Sequence, residues 1–361
     1  MPMGHKRLWI PGPVEVHPEI LQACAVPMIS HRGKDYQKIH SSAKAGLRKL
    51  LGTEKGQIYL FTSSSTGAME GALRNLCARR VLSCTCGNFS ERWHDIALEN
   101  GKESDRYGVE WGQPNRPEEI DRLLSTGKYD CLTLVSNETS TGLFNPLKEI
   151  CEVMKKYPDV SFAVDAVSSL AGVPINPEAL GIDYLLAGTQ KAFGLPPGLA
   201  VVWASDKAME KSAKVPARGH YFDLHQFKKM DEKNETPETP VISLINALDV
   251  QMKRMLAEGL DNRWKRHRDL ASVCQEWANT HFKMFPAKGC WSTTVSCIEN
   301  TRKDVTVKQL YDKLYERGAV ISEGYGKLKE RTFRIAHMAD TQLPELKELL
   351  GWIDEIIGVK K

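Results

Sequence analysis

The chain has 361 residues, more than one ordinary hydrophobic core holds, so we expect two domains. Hydrophobic residues make up 42% and charged residues 26%, a balance that can bury enough apolar surface to fold and that excludes a disordered chain. With 49 basic and 45 acidic side chains the net charge is only +4, which excludes a strong overall attraction to nucleic acid or to an anionic membrane. We therefore predict small-molecule partners, with no nucleic acid and no membrane.

The N-terminal segment and the cysteines bear on the compartment. Pro11 and Pro13 interrupt the stretch in which a secretory signal needs an unbroken apolar run, and no run elsewhere reaches the ~18 apolar residues of a membrane span. The nine cysteines are dispersed and form no CxxC pair, which argues against a zinc site or a disulfide framework. We predict a cytoplasmic protein without a metal, in which Cys84 and Cys86 are small buried residues.

Between residues 56 and 205, short runs rich in β-forming residues alternate with longer segments of helical period. This alternation is typical of a mostly parallel sheet flanked by helices, so the predicted fold class is α/β. The predicted strands and helices, in chain order, are strand 57–63, helix 68–80, strand 81–87, helices 91–101 and 117–127, strand 130–138, helix 145–157, and strands 160–167, 184–190 and 198–205.

The rest of the chain is predicted to form a smaller α+β domain. Residues 217–240 are polar and lack an aliphatic period, so we expect a long irregular connection there. Two helices follow, and the basic stretch 262–269 in the second is either a nucleic-acid-binding face or, as we interpret it at this net charge, a solvated helix surface. We place an N-terminal tail at 1–20, packing on the small domain, a large domain at 21–255 and the small C-terminal domain at 256–361.

Three features of the α/β part point to chemistry. The turn 63–67 joins a predicted strand to a predicted helix, and the N–H groups of a helix N-terminus together with small hydroxyl side chains can bind an anion. An ordinary Ser/Thr helix cap explains that turn equally well. Asp165 ends a buried apolar strand, where a carboxylate requires a positive partner. Lys191 follows another strand, at the edge where parallel sheets bind ligands, and a desolvated lysine there can form a Schiff base.

These three features are together what pyridoxal 5′-phosphate requires, namely an anion site, a carboxylate for the pyridinium nitrogen and an imine-forming amine. Neither GxGxxG after a strand nor GxxxxGK[ST] occurs in the chain, so a dinucleotide or P-loop site lacks its motif. The sequence therefore favours pyridoxal phosphate as the cofactor, with Asp165 and Lys191 as the catalytic residues.

Six segments, in order, resemble the class V aminotransferases of fold type I, the group that includes alanine:glyoxylate, serine:pyruvate and phosphoserine aminotransferases. They are SSSTGAMEGAL, CGNFSERW, NETSTG, AVDAVSSLAG, AGTQKAFGLPPG and ETPETPVISL. The resemblance spans nearly the whole chain and implies a large pyridoxal-phosphate-binding domain. It implies that Lys191 forms the Schiff base with the cofactor and then acts as general acid and base. It also implies that Asp165 pairs with the pyridinium nitrogen, which keeps the ring electron-withdrawing.

The resemblance also implies which other residues bind the cofactor. Phe89 would stack on one face of the ring, Val167 would cover the other face, and Thr139 would lie near the ring oxygen. The residues that would bind the phosphate are Ser64, Ser65, Thr66 and Gln190.

A homodimer with shared active sites is a further implication of the resemblance. In this family the segment that matches ETPETP reaches into the neighbouring subunit. Thr236, and with it Thr239, would therefore contact the partner subunit's cofactor phosphate. The polar, irregular connection predicted at 217–240 is suited to lie across such an interface.

The predicted reaction is a ping-pong transamination, in which a small amino acid such as alanine or serine gives its amino group to the cofactor and a 2-oxo acid takes it up. Glyoxylate, pyruvate and 2-oxoglutarate are the acceptors considered. Arg334, in the predicted strand 332–338, matches the family's arginine that binds the substrate carboxylate.

Phosphoserine aminotransferase, which acts with 2-oxoglutarate in serine biosynthesis, is the alternative. His31 and Arg32 resemble the residues with which that enzyme holds the substrate phosphate, and NETSTG shares the start of its motif. However, the C-terminal His-Arg pair that assists there is absent, and a serine-histidine-arginine start also occurs in alanine:glyoxylate and serine:pyruvate enzymes.

Two more remote alternatives differ in chemistry. A cysteine desulfurase-like lyase needs a cysteine on a loop before the carboxylate-binding arginine, and residues 319–334 contain none. A non-catalytic member of the fold would be expected to have lost Lys191 or Asp165, and both are present.

Overall fold

The computed structural model describes residues 4–359, so the ends of the predicted tail and small domain, 1–3 and 360–361, lie outside the described residues. The strands in chain order are β1 Arg7–Leu8, β2 Gln57–Phe61, β3 Arg80–Thr85, β4 Glu103–Gly108, β5 Cys131–Val135, β6 Asn137–Glu138, β7 Leu143–Phe144, β8 Ser161–Asp165, β9 Tyr184–Gly188, β10 Ala200–Ala204, β11 Lys283–Met284, β12 Val295–Glu299, β13 Ala319–Val320, β14 Ser322–Glu323 and β15 Thr332–Ala336.

The helices in chain order are α1 Pro18–Cys24, α2 Lys34–Leu51, α3 Ser65–Leu76, α4 Asn88–Glu99, α5 Pro117–Leu124, α6 Leu147–Met154, α7 Asp206–Lys214, α8 Leu224–Asp231, α9 Ile242–Glu258, α10 Leu260–His281, α11 Val307–Glu316 and α12 Leu343–Ile356. A short 3₁₀ turn, Gly326–Leu328, precedes β15. Within residues 4–359, no helix combines the length and the apolar character that crossing a bilayer requires.

A seven-stranded sheet occupies the middle of the larger part, in the order β2-β10-β9-β8-β5-β3-β4. Its strands are parallel except for β10, which runs antiparallel to both neighbours. Alternate side chains of β2 pack into two different apolar cores. Ile58 and Leu60 belong to one core, and Tyr59 and Phe61 belong to the other. Such a sheet, covered by helices on both faces, is the α/β arrangement expected from the sequence, and that prediction is confirmed.

The register of three central strands determines where the chemistry-bearing residues lie. Val135 at the end of β5 pairs with Asp165 at the end of β8, and Asp165 pairs in turn with Leu186 of β9. Lys191 follows β9 by three residues. Because the three strands are parallel, Asp165 and Lys191 leave the sheet at the same edge.

The smaller part is built on an antiparallel sheet in the order β11-β12-β15-β14. The N-terminal strand β1 pairs in parallel with β13, and Trp9 joins the apolar core of this part beside Phe333 and Ile353. The boundary predicted at 255/256 falls in the last turn of α9, which ends at Glu258. The division into a tail, a large domain and a small domain stays our proposal.

Several elements differ from the sequence prediction, which placed no helix where the structure has α1, α2 and α7. The connection 217–240 contains the helix α8, so the expectation of an irregular segment was wrong there. Only Leu224 and Phe227 of that helix are buried, too few apolar residues to reveal a helical period. The strand β4 was not predicted either, because its sequence ESDRYG is polar and it lies at the edge of the sheet.

The cysteines form no disulfide among the described residues, and all nine are free thiols. Cys84 and Cys86 are buried, in agreement with the interpretation from sequence. No group of three or more His, Cys, Asp or Glu side chains in the described part of the chain is arranged to hold a metal ion.

Candidate active site

A cavity of about 330 Å³ opens at the carboxyl edge of β5, β8 and β9. Nine of the residues predicted from sequence to bind the cofactor line it together. They are Ser64, Ser65, Thr66, Phe89, Thr139, Asp165, Val167, Gln190 and Lys191. The cavity is also lined by Gly12, Arg92 and Asn137, which the sequence reasoning did not select.

Lys191 lies in a tight turn after β9 and points into the cavity. The turn is closed by the Gly194 N–H, which donates to the Lys191 carbonyl at 2.8 Å. The lysine Nζ donates to the carbonyl of Pro11 and lies 5.9 Å from the centre of the Phe89 ring. Burial lowers the pKa of Lys191 to about 8, and the charge of Arg334 adds to this effect. The lysine therefore loses its proton more easily than an ordinary surface lysine.

The N-terminal segment packs directly on this lysine. A Cβ atom placed on Gly12 would stand 2.7 Å from Lys191 Nζ, and the φ of 137° at Gly12 is one that residues with a side chain rarely adopt, so glycine suits this position. Two residues further on, the Val14 N–H donates to the carbonyl of Gln190 at 3.1 Å. Residues 10–13 thus form one wall of the site, a contact for which no sequence signal was found.

Asp165 is buried at the end of β8, and one of its carboxylate oxygens accepts the N–H of Val167 at 2.8 Å. Burial raises the pKa of its carboxyl group to about 7, although the Val167 hydrogen bond acts in the opposite direction. A positive charge placed opposite this carboxylate would offset the cost of its burial.

The N-terminus of α3 supplies the anion-binding part of the cavity. Ser64 caps the helix in extended geometry, so the N–H groups of its first turn point toward the cavity end of the helix. The Ser65 hydroxyl is buried and has no hydrogen-bond partner in the structure. The Thr66 hydroxyl accepts a hydrogen bond at 3.0 Å from Arg92, which brings a positive charge to the same place.

Arg92 was missed by the sequence reasoning, although a signal was available. It lies on α4 three residues after Phe89, so the two side chains share one helix face. Its guanidinium carbon is 5.0 Å from the centre of the Phe89 ring. An arginine one turn after a predicted ring-stacking residue is therefore a candidate phosphate ligand.

Glu138, in the quoted NETSTG segment, was also missed. It is fully buried, and its carboxylate accepts the N–H groups of Phe89 at 3.3 Å and Ser90 at 2.8 Å and the Ser140 hydroxyl at 2.6 Å. The carboxylate therefore fixes the first turn of α4 and with it the position of Phe89.

Arg334 lies on β15, at a second cavity of about 610 Å³ that shares Gly12, Phe89, Thr139 and Lys191 with the first. Its guanidinium donates to the Ser322 hydroxyl at 2.8 Å and to the Thr139 carbonyl at 3.2 Å. The side chain is largely buried, and burial lowers its pKa. The Arg334 guanidinium therefore lies in the second cavity, and Lys191 lines both cavities.

Tyr325 completes this second cavity and was not selected from the sequence. Its ring centre is 5.4 Å from that of Phe89 and 5.5 Å from the guanidinium carbon of Arg334. It belongs to the EGYG segment before β15, where an isolated tyrosine between glycines was the available signal.

Four predicted residues do not line either cavity in this chain: His31, Arg32, Thr236 and Thr239. The Arg32 guanidinium donates to the Glu235 carboxylate at 2.9 Å, to the Thr236 carbonyl at 2.7 Å and to the Pro237 carbonyl at 3.0 Å. The structure of one chain therefore does not bring Arg32 to Arg334.

Residues 19–325 match the model of the family "Aminotransferase class-V". The chain belongs to the class V aminotransferases. An uncharacterized aminotransferase of Methanocaldococcus jannaschii is 39% identical over 343 residues, which cover 92% of this chain and 88% of the relative. The L-aspartate–glyoxylate aminotransferase of Paracoccus denitrificans is 31% identical, over 92% of this chain and 86% of its own.

The structure comparison agrees with this family. An aspartate aminotransferase of subgroup IV from Thermus thermophilus superimposes with a TM-score of 0.90 at 31% identity, over 98% of this chain and 99% of the other. Class V aminotransferases and their structural neighbours are fold type I enzymes that use pyridoxal phosphate. The chain is therefore a pyridoxal-phosphate-dependent aminotransferase, and the family and enzyme class expected from the sequence are confirmed.

Proposed function

We propose that this class V aminotransferase transfers the amino group of a small amino acid to a 2-oxo acid by a ping-pong mechanism, with pyridoxal 5′-phosphate in the 330 Å³ cavity. The observation that carries the proposal is that Lys191, Asp165 and the N-terminus of α3 all open into this one cavity. No single side chain defines such a site, but these three groups are the ones this cofactor needs.

The cavity fits the cofactor in three respects. The buried Asp165 carboxylate, whose pKa is raised, suits a protonated ring nitrogen. The unpartnered Ser65 hydroxyl and the first turn of α3 suit the phosphate, together with Ser64, Thr66 and Gln190. For the ring, Phe89 and Val167 would cover its two faces, and Thr139 would lie near its oxygen. When bound, pyridoxal phosphate supplies an aldehyde that takes up amines and a ring that stabilises negative charge at the substrate Cα.

The chain's own residues would then divide the remaining tasks. With a pKa of about 8, Lys191 Nζ is neutral in a substantial fraction of molecules at mildly alkaline pH, so it can take a proton from the substrate Cα and return it elsewhere. Arg334 would hold the substrate carboxylate by charge-assisted hydrogen bonds. Phe89 and Tyr325 would keep water away from the reacting carbon.

The proposed homodimer concerns the segment 235–239. Thr236 lies outside both cavities of its own chain, so its proposed contact with a cofactor phosphate requires a second subunit. The Thr236 hydroxyl donates to the Glu238 carbonyl at 2.7 Å, and Arg32 binds the Thr236 carbonyl, which keeps this segment ordered. Within the single chain Thr236 is buried and Thr239 is exposed. We propose that Thr236 and Thr239 complete the partner's site.

A cytoplasmic location is part of the proposal. All nine cysteines are free thiols, and seven of them are buried. A chain rich in unpaired cysteines is typical of a reducing compartment.

Small substrates without a phosphate fit this arrangement better than phosphoserine. A substrate phosphate would need a cation whose charge is not compensated, but the Arg32 guanidinium pairs with the Glu235 carboxylate at 2.9 Å. The partners of the Arg334 guanidinium, by contrast, are a hydroxyl and backbone carbonyls, which are neutral. The relative from Paracoccus is named for aspartate and glyoxylate, which supports glyoxylate as an acceptor and adds aspartate to the donors worth testing.

The test is a half-reaction with the purified holoenzyme. Alanine, serine, aspartate and phosphoserine are added singly, without an oxo acid, and conversion of the pyridoxal form to the pyridoxamine form is followed by absorbance. We expect conversion by at least one unphosphorylated amino acid, and recovery of the first form when glyoxylate, pyruvate or 2-oxoglutarate is added. Conversion by phosphoserine alone would overturn the substrate assignment.

Replacement of Lys191 by alanine is the second arm of this test. The Lys191→Ala variant should lose the lysine-bound cofactor absorbance and at least about 10³-fold in turnover, because the amine both binds the cofactor and moves the proton. Lys265→Ala is the matched control, since Lys265 lies exposed on the surface of α10 and pairs with Asp269. Full activity of Lys191→Ala would refute the proposed mechanism.

A further inference from the structure

Arg263 is almost completely buried, with only 1% of its side chain exposed, although it lies in the basic stretch that the sequence led us to interpret as a solvated helix surface. That interpretation was wrong for Arg263 and for His267, which is also fully buried. A guanidinium removed from water is costly unless its N–H groups are bound and its charge is compensated. The hydrogen-bond partners of this guanidinium therefore indicate its role.

The guanidinium of Arg263 joins three distant segments, at residues 171, 192 and 340, and also pairs with the nearby Glu258. Its Nε donates to the carbonyl of Ala171 at 2.9 Å, and its Nη2 donates to the carbonyl of Ala192 at 2.7 Å. Its Nη1 donates to the carboxylates of Glu258 at 3.0 Å and Asp340 at 3.2 Å. No single secondary-structure element explains these contacts, because each segment comes from a different part of the chain.

Two of these segments carry the proposed catalytic residues. Ala192 directly follows Lys191, and Ala171 lies six residues after Asp165, in the loop that follows β8. Ala171 has a φ of 71°, a conformation that costs a non-glycine residue energy and that needs support from its surroundings. The bond from Arg263 supplies support at that carbonyl.

The third segment belongs to the substrate side of the site. Asp340 lies six residues after Arg334, just beyond the end of β15. The same segment touches the lysine turn directly, because a Cβ atom on Gly194 would stand 3.2 Å from the Cβ of Ala339. Arg263 is therefore at the junction of the lysine turn, the Asp165 loop and the strand that carries Arg334.

A neighbouring glutamine supports the same turn. Gln251, fully buried on α9, donates to the carbonyl of Phe193 at 2.8 Å. Two consecutive backbone carbonyls after Lys191 are thus held by side chains of α9 and α10. Since a carbonyl turned away from its donor would be left buried and unpaired, these bonds restrict the turn to one conformation.

Binding of an anion is not the function of this cluster. A cavity of about 600 Å³ does lie beside Arg254, Arg263 and Arg266. However, Glu258 and Asp340 already face these arginines, and although burial raises the pKa values of both carboxyl groups, the arginine charges lower them below their usual values. The positive charge is compensated within the protein.

We propose that Arg263 is a positioning residue, which fixes the Lys191 turn relative to the Asp165 loop and to the segment after the Arg334 strand. It touches neither cavity wall that would face the cofactor or the substrate, so its effect on the reaction is indirect. The inference rests on the proposed role of Lys191.

The matched control for Arg263 is Arg266, one turn later on α10. Arg266 binds the same Glu258 at 2.7 Å and donates to the carbonyls of Ala339 and Thr341, but it makes no hydrogen bond to the lysine turn. Arg263→Gln and Arg266→Gln therefore remove similar charges from one ion-pair network. Only the first removes a bond to the carbonyl beside Lys191.

The first measurement is hydrogen–deuterium exchange on the cofactor-free protein, which does not depend on activity. In Arg263→Gln, a peptide that covers residues 189–195 should exchange about tenfold faster than in the parent, because the Gly194 and Leu195 N–H groups close that turn. Arg266→Gln should leave this peptide unchanged. The proposal would be overturned if this peptide exchanged at the same rate in both variants, or no faster in Arg263→Gln than in the parent.

The second measurement separates kcat from KM in the loaded enzyme. Misplacement of a catalytic group by a fraction of an ångström lowers kcat, so Arg263→Gln should lose about 10- to 100-fold in kcat with KM changed by less than about threefold. Arg263→Lys, which keeps the charge but not the fork of donors, should recover only part of the loss. A lower melting temperature with parental kcat would show a merely structural role and refute the inference.

Two further arrangements keep the test decisive. If Arg263→Gln does not fold, Arg263→Lys and Gln251→Met carry the same expectations, since Gln251 binds the next carbonyl of the turn. An inactive parent enzyme, or one without lysine-bound cofactor absorbance, would refute the proposed function rather than the role of Arg263. An active parent with parental exchange and kcat in all three variants would refute the role of Arg263 alone.

Discussion

The Lys191 cavity and the surface around Arg32 were both predicted to bind ligands, yet their charged groups are partnered very differently. We use the name Arg32 cluster for Arg32, Gln37, Glu235 and Thr236. In this cluster the Arg32 guanidinium has a carboxylate and two carbonyls as partners, and Gln37 holds the other Glu235 oxygen at 3.0 Å. In the cavity, the Ser65 hydroxyl has no hydrogen-bond partner among residues 4–359, and burial displaces the pKa values of both Asp165 and Lys191.

This difference gives a criterion that distinguishes a ligand site from a structural ion pair. A motif shows which side chains are present but not whether their hydrogen bonds are already used within the protein. Buried groups whose charge is poorly compensated cost free energy, and such groups concentrate where a ligand compensates them. By that criterion we propose the Lys191 cavity as the binding site, and we assign to the Arg32 cluster the structural task of holding the segment 235–237.

The largest effect is expected from neutralising Asp165, which tests whether the Lys191 cavity binds a cationic ligand. If the cavity binds a cationic ring nitrogen, Asp165→Asn should lower kcat by about 10²- to 10³-fold, since the charge that stabilises the ring is removed. Steady-state transamination with the best donor from the half-reaction test measures this. Asp183→Asn is the matched control, because Asp183 is an equally buried carboxylate that pairs with Lys207 outside the cavity.

The same variant has a second signature, in the pH dependence of stability. The pKa of Asp165 is about 7 in the folded protein and 3.8 ordinarily, so between these values the folded chain holds a proton that the unfolded chain has lost. Asp165 should therefore contribute a loss of stability to the cofactor-free protein as the pH rises through this window, on the order of 4 kcal/mol. The buried histidines His40, His267 and His337, whose pKa values burial lowers, contribute in the opposite direction in both proteins, so the quantity to measure is the difference between them. In urea unfolding, the parent should lose stability from pH 4 to pH 7 relative to Asp165→Asn. An equal change in both would assign the proton elsewhere.

Removal of Arg334 should have the next largest effect, and it tests whether this arginine binds the substrate carboxylate. Arg334→Ala is expected to raise KM for both the amino acid and the oxo acid by roughly 10- to 100-fold, because both carry the carboxylate that the guanidinium would bind. Initial rates over a range of both substrates measure this. Arg331→Ala is the control, since Arg331 is more than half exposed and pairs with Glu299. Unchanged KM values for both substrates in Arg334→Ala would refute its role.

How far the sequence predicts the structure can be seen from particular residues. The positions of Asp165 and Lys191 follow from strands of continuous apolar character, because a parallel sheet sends all such strand ends to one edge. The strand β4 and the helix α8 escaped prediction because their sequences are polar and few of their residues are buried. Periodicity reports burial, so elements with little burial leave little trace in it.

Within the site, the residues that could not be predicted act across long sequence separations. Pro11 and Gly12 reach Lys191 only because β1 pairs with β13, some 310 residues away along the chain. Arg263 looked like a surface residue because its partners at 171, 192 and 340 are brought together only by the fold. Glu138 and Arg92, by contrast, lay inside quoted segments, and helix spacing from Phe89 would have selected Arg92.

The smallest expected effect concerns the Arg32 cluster and tests the other side of the comparison. If Arg32 only organises the segment 235–237, Arg32→Gln should change KM for unphosphorylated donors by less than about threefold, in line with the small contribution of a partly exposed ion pair. Gln37→Ala is the matched control, because Gln37 holds the same Glu235 without carrying a charge. Its KM values for these donors should also change by less than about threefold. A steady-state comparison of alanine, serine and phosphoserine in both variants decides the point. A rise of tenfold or more in KM that is confined to phosphoserine and to Arg32→Gln would show that Arg32 leaves Glu235 to bind a substrate phosphate, and the rule drawn from the comparison would then fail.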